Sequence, residues 1–173
     1  MNWVEGQLLH AGKYRIKRQV GGGGFGLTYL AEELLTIKRQ IDINVGLTYM
    51  AEELPIRTPL REVVIKTPNR TLQDDLEYEK FIKRFQLEGQ RLAKISHPNV
   101  VGVLEFFQEA GVPCLVMEYA AGETLSALVK RQGCLSEDEA LLCFEKLAEA
   151  LQAVHSEGLI HCDVHPKNII LQR

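Results

Sequence analysis

The chain is predicted to be an α+β protein, a sheet-rich first half followed by a helical second half. Three observations carry that expectation. Short β-branched runs bounded by Gly and Pro occupy most of residues 13–119, and a single stretch with helical spacing, 79–95, interrupts them. A capping box then opens a long amphipathic helix at Ser136.

Taken in order, residues 13–20 alternate in part and end in a glycine run, and 27–31 form a second strand. The run Glu62-Val63-Val64-Ile65-Lys66 is a third strand, preceded by the breakers Pro55 and Pro59. Over 79–95, Phe81, Phe85, Glu88, Leu92 and Ile95 fall three or four apart, so they share one helical face. Pro98 ends that helix by disfavouring helical geometry at His97. Strands at 101–107 and 113–119 are joined through Glu109-Ala110-Gly111. Ser136 and Glu139 open a helix carrying Leu142, Leu147, Leu151 and Val154, which stops at Gly158. The tail reads as two short apolar strands, 159–160 and 169–171, around a polar loop.

Composition narrows the function. The 173 residues are 46% hydrophobic and 25% charged, ordinary for a globular chain able to bury a core. A formal charge of −3, without a polybasic run, argues against nucleic acid or an anionic membrane as partner. The apolar stretches, such as 140–144, fall far short of the ~20 residues of a membrane span. The opening MNWVEGQLLHAG lacks a signal-peptide pattern, and Cys114, Cys134, Cys143 and Cys162 form no CxxC pair. Both features predict a cytoplasmic chain with reduced thiols.

A tandem repeat stands outside this pattern. Ile16-Lys-Arg-Gln19 recurs as Ile37-Lys-Arg-Gln40, and Gly26-Leu-Thr-Tyr-Leu-Ala-Glu-Glu-Leu34 recurs as Gly46-Leu-Thr-Tyr-Met-Ala-Glu-Glu-Leu54. Two copies are too few for a solenoid, so one hairpin has been duplicated. Only the first copy keeps its glycines, since VGGGGF becomes IDINV in the second. Spacing to Lys66 favours the second copy as the in-sheet hairpin, because Gly46 lies closer to Lys66 than Gly26 does. Charge favours the first, because Asp42 would repel a phosphate. An extra loop costs little closure entropy, so residues 13–31 are expected in the sheet and 35–54 looped out.

Three groups of residues carry chemistry. Gly21-Gly22-Gly23-Gly24-Phe25-Gly26 follows a strand and precedes another; its amides could converge on an anion, or the run could be a flexible turn. Lys66 shares a strand face with Val64, and either snorkels to solvent or reaches a buried anion. Glu88 lies on the apolar stripe of its helix, where a carboxylate needs a partner, so a Lys66–Glu88 ion pair is expected. Finally, His161-Cys162-Asp163-Val164-His165-Pro166-Lys167-Asn168 places a carboxylate and an amide five residues apart, suited to accepting a proton and to ligating a hard cation. His161, Cys162 and His165 could also ligate zinc, but no fourth ligand is evident nearby.

Together these segments resemble the eukaryotic-type protein kinases, in particular bacterial serine/threonine kinases of the cyanobacterial kind. GGGGFG looks like the glycine-rich loop, VVIK (63–66) like the V-A-I-K strand, and Glu88 like the glutamate of the following helix. HPNVV (97–101) looks like the segment after that helix, LVMEYAAGETL (115–125) like the last N-lobe strand, hinge and next helix, and HCDVHPKN (161–168) like H-R-D-L-K-P-x-N. The resemblance implies a lead-in over 1–12, an N-lobe over 13–117 that contains the repeats 16–34 and 37–54, a hinge over 118–122, and a partial C-lobe over 123–173.

It also implies ATP and Mg²⁺ as cofactors and a protein Ser/Thr hydroxyl as acceptor. Lys66 would hold phosphates and pair with Glu88, Asp163 would be the catalytic base and Asn168 a Mg²⁺ ligand. Gly21, Gly22, Gly23, Gly24, Phe25, Gly26 and Thr28 would cover the nucleotide and Val64 would line the adenine slot. Met117 would be the gatekeeper, the backbone of Glu118 and Ala120 would meet the adenine edge, and His165 would stand where the family has a phosphate-facing lysine. Cys162 replaces the family's arginine. The sequence stops at Arg173, before the D-F-G that would supply the main Mg²⁺ ligand, so a truncated catalytic domain without turnover of its own is expected, with apolar C-lobe surface open to self-association. The alternatives are a non-catalytic kinase-like binding module and a small-molecule phosphotransferase of the aminoglycoside or choline kinase type, suggested by His165.

Overall fold

In the computed structural model, residues 2–23, 26–37, 56–68 and 76–172 are described. Six strands form one antiparallel sheet: β1 (Leu8–Leu9), β2 (Tyr14–Gly23), β3 (Gly26–Ile37), β4 (Ile56–Thr67), β5 (Val103–Glu109) and β6 (Val112–Glu118), in the order β1-β2-β3-β4-β6-β5. One helix, α1 (Leu76–Leu92), connects β4 to β5. Beyond β6 come β7 (Glu123–Thr124), α2 (Leu125–Gln132), α3 (Glu137–Ser156) and β8 (Ile170–Leu171), with β7 and β8 paired antiparallel.

Alternation along the strands sorts the sheet into two faces. One face sends Tyr14, Ile16, Leu27, Tyr29, Ala31, Val63, Ile65, Cys114 and Val116 into a core closed by Trp3, Leu9 and Phe107. The 1–12 segment, expected as a lead-in, therefore belongs to this core. Its strand β1 pairs with β2, and Trp3 donates its backbone N–H to the Tyr29 hydroxyl at 3.3 Å while the two rings pack 5.1 Å apart. Around the rim, the Glu105 carboxylate accepts from Lys13 Nζ at 2.7 Å and from the Tyr14 hydroxyl, and His10 Nε2 lies 3.3 Å away. Burial raises the Glu105 pKa, but the hydrogen bonds from Lys13 and Tyr14 outweigh it and hold the group below the usual carboxylate range.

The expected 13–31 hairpin is in the sheet, as β2 and β3. The two strands of the β3–β4 pair are longer than the sequence suggests. Residues 35–37, expected to loop out, instead pair with β4 as Leu35↔Thr58, Thr36↔Arg57 and Ile37↔Ile56, after a bulge between Glu33 and Leu34. Pro59 is tolerated inside β4 because β6 pairs only with Val63, Val64, Ile65 and Lys66, leaving the other edge at Pro59 without a ladder. The rest of the second repeat lies outside the described residues.

Two further expectations were adjusted. The helix expected over 79–95 starts and ends three residues earlier, as Leu76–Leu92. Residues 159–160 form no strand: they follow the helix stop at Gly158, and β8 takes β7 as its partner. The capping box at Ser136 and Glu139 is present, and apolar surface is open along α3 as expected: Leu141, Leu142 and Phe144 are exposed, and only Ala150 and Val154 on that helix are buried. Among the described residues, no helix is long and apolar enough to cross a membrane.

The four thiols differ sharply in environment. Cys114 is fully buried and burial pushes its pKa to about 12, whereas Cys134 and Cys162 are exposed. Iodoacetamide at pH 8 is expected to alkylate Cys134 and Cys162 in the folded chain and Cys114 only after unfolding. Peptide mapping reads this directly, and alkylation of Cys114 under native conditions would contradict the packing around it.

Candidate active site

The second face of the sheet carries the site. Cross-strand partners in an antiparallel sheet project to the same side, so the registers Thr28↔Lys66↔Leu115↔Phe106 and Leu30↔Val64↔Met117 define one surface. Thr28, Val64, Lys66 and Met117, expected near a nucleotide, are thus brought together. Leu30 and Leu115 complete the surface; sequence reasoning passed over them, though each stands two residues from an identified one.

The glycine run turns at the end of this surface. Gly21 pairs with Thr28, Gly22 with Leu27 and Gly23 with Gly26. Gly24 and Phe25 lie outside the described residues. Gly26 has a specific steric reason, because a Cβ there would stand 2.6 Å from the Thr67 carbonyl oxygen. The loop thus sits against the β4 end that bears Lys66. Among the described residues no carboxylate pairs with the exposed Lys66.

The expected Lys66–Glu88 ion pair is not formed, and Glu88 is exposed. α1 packs on the same sheet face as Lys66, through Phe85 of the expected face and through Gly89, but not through Glu88. The Phe85 and Phe106 rings lie 6.4 Å apart with their planes tilted, and Gly89 is buried, where an added Cβ would press on Leu115 Cδ1 at 3.0 Å. Phe85 and Gly89 are one turn apart, whereas Glu88 is rotated about 100° away from Gly89. At Gly89 the helix backbone comes close to Leu115 and Phe106. A lone glycine inside a helical run was the signal available for it.

At the end of β6, where a hinge is expected, Glu118 donates its N–H to the Gly102 carbonyl at 2.9 Å, and its carboxylate accepts from Gly102 N–H at 3.3 Å. Ala120 follows, after β6 has ended.

The polar loop is organised by its own side chains. Asn168 Nδ2 donates to Asp163 Oδ2 at 2.9 Å and to the Asp163 carbonyl at 3.1 Å. His165 Nδ1 accepts from Lys167 N–H at 3.1 Å, which puts the imidazole proton on Nε2, 3.4 Å from Asp163 Oδ1. Both carboxylate oxygens of Asp163 are therefore positioned while the side chain stays 69% exposed. Cys162 adopts φ +59°, a left-handed conformation that costs a β-carbon-bearing residue of order 1 kcal/mol. The loop is anchored to the start of α2, where Leu125 and Ser126 donate their N–H groups to the Ile169 and Pro166 carbonyls.

The family profile described as Protein kinase domain matches residues 56–173, from β4 to the end of the chain. The chain belongs to the protein kinase family. Among curated proteins, the serine/threonine-protein kinase PrkC of Bacillus subtilis is 32% identical over 161 residues, covering 93% of this chain and 21% of that protein. The serine/threonine-protein kinase pkn2 of Myxococcus xanthus is 31% identical over 96% of this chain and 17% of its own length. PknA of Mycobacterium tuberculosis is 31% identical over 93% of this chain and 32% of its own. Kinase-fold structures agree: the PknI kinase domain of Mycobacterium tuberculosis superposes with a TM-score of 0.69 at 22% identity, over 99% of this chain and 58% of that one. PpkA-294 in its apo form gives 0.70 at 24% identity, again over 99% and 58%. The chain thus spans under a third of these curated relatives and somewhat over half of the solved kinase domains.

Proposed function

We propose that these residues form the nucleotide-binding half and catalytic loop of an ATP-dependent serine/threonine protein kinase, with a Ser or Thr hydroxyl of a protein as acceptor. The single observation that carries the reading is the register Thr28↔Lys66, which sets the Lys66 side chain on the sheet face beside the Gly21–Gly23/Gly26 end of the β2–β3 hairpin, with no carboxylate paired to it among the described residues. In this reading the 21–26 turn and Lys66 hold the phosphates, Val64 and Met117 flank the adenine, and Glu118 and Ala120 supply its backbone edge. The Glu118 N–H is already committed to Gly102, so a contact through Glu118 falls to its carbonyl.

Asp163 would accept the proton of the acceptor hydroxyl, held in place by Asn168 and His165. The Asn168 donor is spent on Asp163, which leaves its Oδ1 as an oxygen ligand of the kind Mg²⁺ takes, so the donor set fits the ion. Mg²⁺ held there would neutralise phosphate charge. Asn168 supplies one oxygen of the six such an ion takes, so a polypeptide of these 173 residues is proposed to bind nucleotide without appreciable turnover. The exposed Leu141, Leu142 and Phe144 of α3 support self-association through that helix.

Isothermal titration of ATP·Mg²⁺ tests the assignment. Lys66→Ala is expected to weaken binding about tenfold or more, equivalent to at least ~1.4 kcal/mol. Equal affinities for the two proteins would remove Lys66 from the site.

A further inference from the structure

A short strand pair ties the polar loop to the start of α2. Residues 119–122 leave β6 and run into β7, and β8 follows the loop with Ile169 alone between it and Asn168. The strands pair as Glu123↔Leu171 and Thr124↔Ile170. The ladder continues where the Leu125 N–H donates to the Ile169 carbonyl at 2.9 Å and the Ser126 N–H to the Pro166 carbonyl at 3.0 Å. Gly122 stands just before β7, against β8. A Cβ added there would overlap the Leu171 carbonyl oxygen, and would lie 2.9 Å from the carbonyl carbon and 3.0 Å from Ile170 Cγ2. The first two are backbone atoms, so no side-chain rotation relieves them. Gly122 is not among the glycines with positive φ, so the close approach alone is what requires a glycine.

The strand that gives way to such a side chain is β8. β7 is pinned to α2 by both of its residues. Arg131 holds the Glu123 carboxylate through Nε at 3.2 Å and Nη2 at 2.7 Å. Thr124 Oγ1 accepts the Ala127 N–H at 3.2 Å as the cap of that helix. Among the described residues, β8 has β7 as its one strand partner. A side chain at 122 therefore pushes β8 outward, and Asn168 is two residues from Ile170, so the displacement reaches the loop.

We propose that Gly122 is a positioning residue for the Asp163–Asn168 loop. By letting the Leu171 carbonyl approach, it fixes Asn168 Oδ1, the oxygen suited to Mg²⁺, relative to the segment that leaves β6. It acts through β8 and is assigned no contact with nucleotide or metal. Mg²⁺-dependent nucleotide binding then requires a glycine at 122, whereas contacts on the sheet face, through Val64, Lys66 and Met117, do not. This consequence rests on the proposed nucleotide site; the hold of Gly122 on the loop does not.

Gly122→Ala tests it through amide exchange and ATP titration. Exchange of the Leu125 and Ser126 N–H groups, read by NMR, is expected to accelerate about tenfold or more as their acceptors on 166–169 move away, while the six-stranded sheet keeps its protection. ATP is then titrated with Mg²⁺ and with EDTA. In the intact chain Mg²⁺ is expected to tighten binding. In Gly122→Ala that gain is expected to fall about tenfold or more, towards that of Asn168→Ala, with the metal-free affinity unchanged. Leu171→Pro, which opens the same ladder from the β8 side, is the second variant and is expected to behave alike. Unchanged exchange at Leu125 and Ser126, a metal-dependent gain retained in Gly122→Ala, or a parallel loss of its metal-free affinity would overturn the proposal, as would loss of the sheet in both variants. If exchange accelerates but the intact chain binds ATP no more tightly with Mg²⁺ than without, the hold of Gly122 on the loop stands and the nucleotide reading falls.

Discussion

A chain in which residues 38–55 are replaced by Asn-Gly is expected to fold, to melt several degrees higher and to retain full nucleotide binding. Ile37 and Ile56 are directly opposite one another across the β3–β4 pair, so a two-residue turn can join them without disturbing the register. Asn-Gly suits such a turn because it accepts the left-handed conformation that a tight hairpin needs. Shortening a connection of eighteen residues to two removes roughly 2 kcal/mol of closure entropy. The complementary deletion, of 16–34, is expected to abolish ATP binding, because the remaining turn sequence Ile41-Asp-Ile-Asn-Val45 replaces glycines with a carboxylate. Thermal melts and ATP titration of the two deletants give the answer. Loss of folding in the first, or ATP binding by the second, would assign the site to the other repeat.

Removal of residues 1–12 is expected to leave the six-stranded sheet unable to fold. Leu9 is 1% exposed and Trp3 7%. Truncating one buried Leu to Ala costs about 2–5 kcal/mol and one Trp about 3–5 kcal/mol, against a total stability of roughly 5–15 kcal/mol. The deletion also leaves the Tyr29 hydroxyl without its donor and Phe107 without the His10 ring stacked on it at 4.5 Å. Urea denaturation followed by circular dichroism measures this. A cooperative transition at the midpoint of the intact chain would show that the segment is an appendage.

Much of the architecture was legible in local sequence because it rests on local rules. Strand β4 has a period of two, which put Val64 and Lys66 on one face before any partner strand was known. Ser136 and Glu139 announce the start of α3 through bonds that the helix end itself requires. Asp163 and Asn168, five residues apart, meet through a hydrogen bond within their own loop. The family match adds what local rules do not, the identity of the fold as a kinase.

The sequence by itself determined the order of the elements and the Asp163–Asn168 pair of the polar loop, since each follows from spacing along the backbone. Only the tertiary structure decided that Gly89, beside Phe85, meets the sheet and that Glu88 does not. Helical periodicity fixes a face to within about one residue, so it does not separate Glu88 from its neighbour Gly89, which lies against Leu115. It likewise decided that residues 1–12 belong to the core and that β3 runs on to Ile37, because both depend on partners far away in the chain: Tyr29 for Trp3 and Ile56 for Ile37. A strand's length is set by what it pairs with, and a side chain's burial by what closes over it; neither is written in its own neighbourhood.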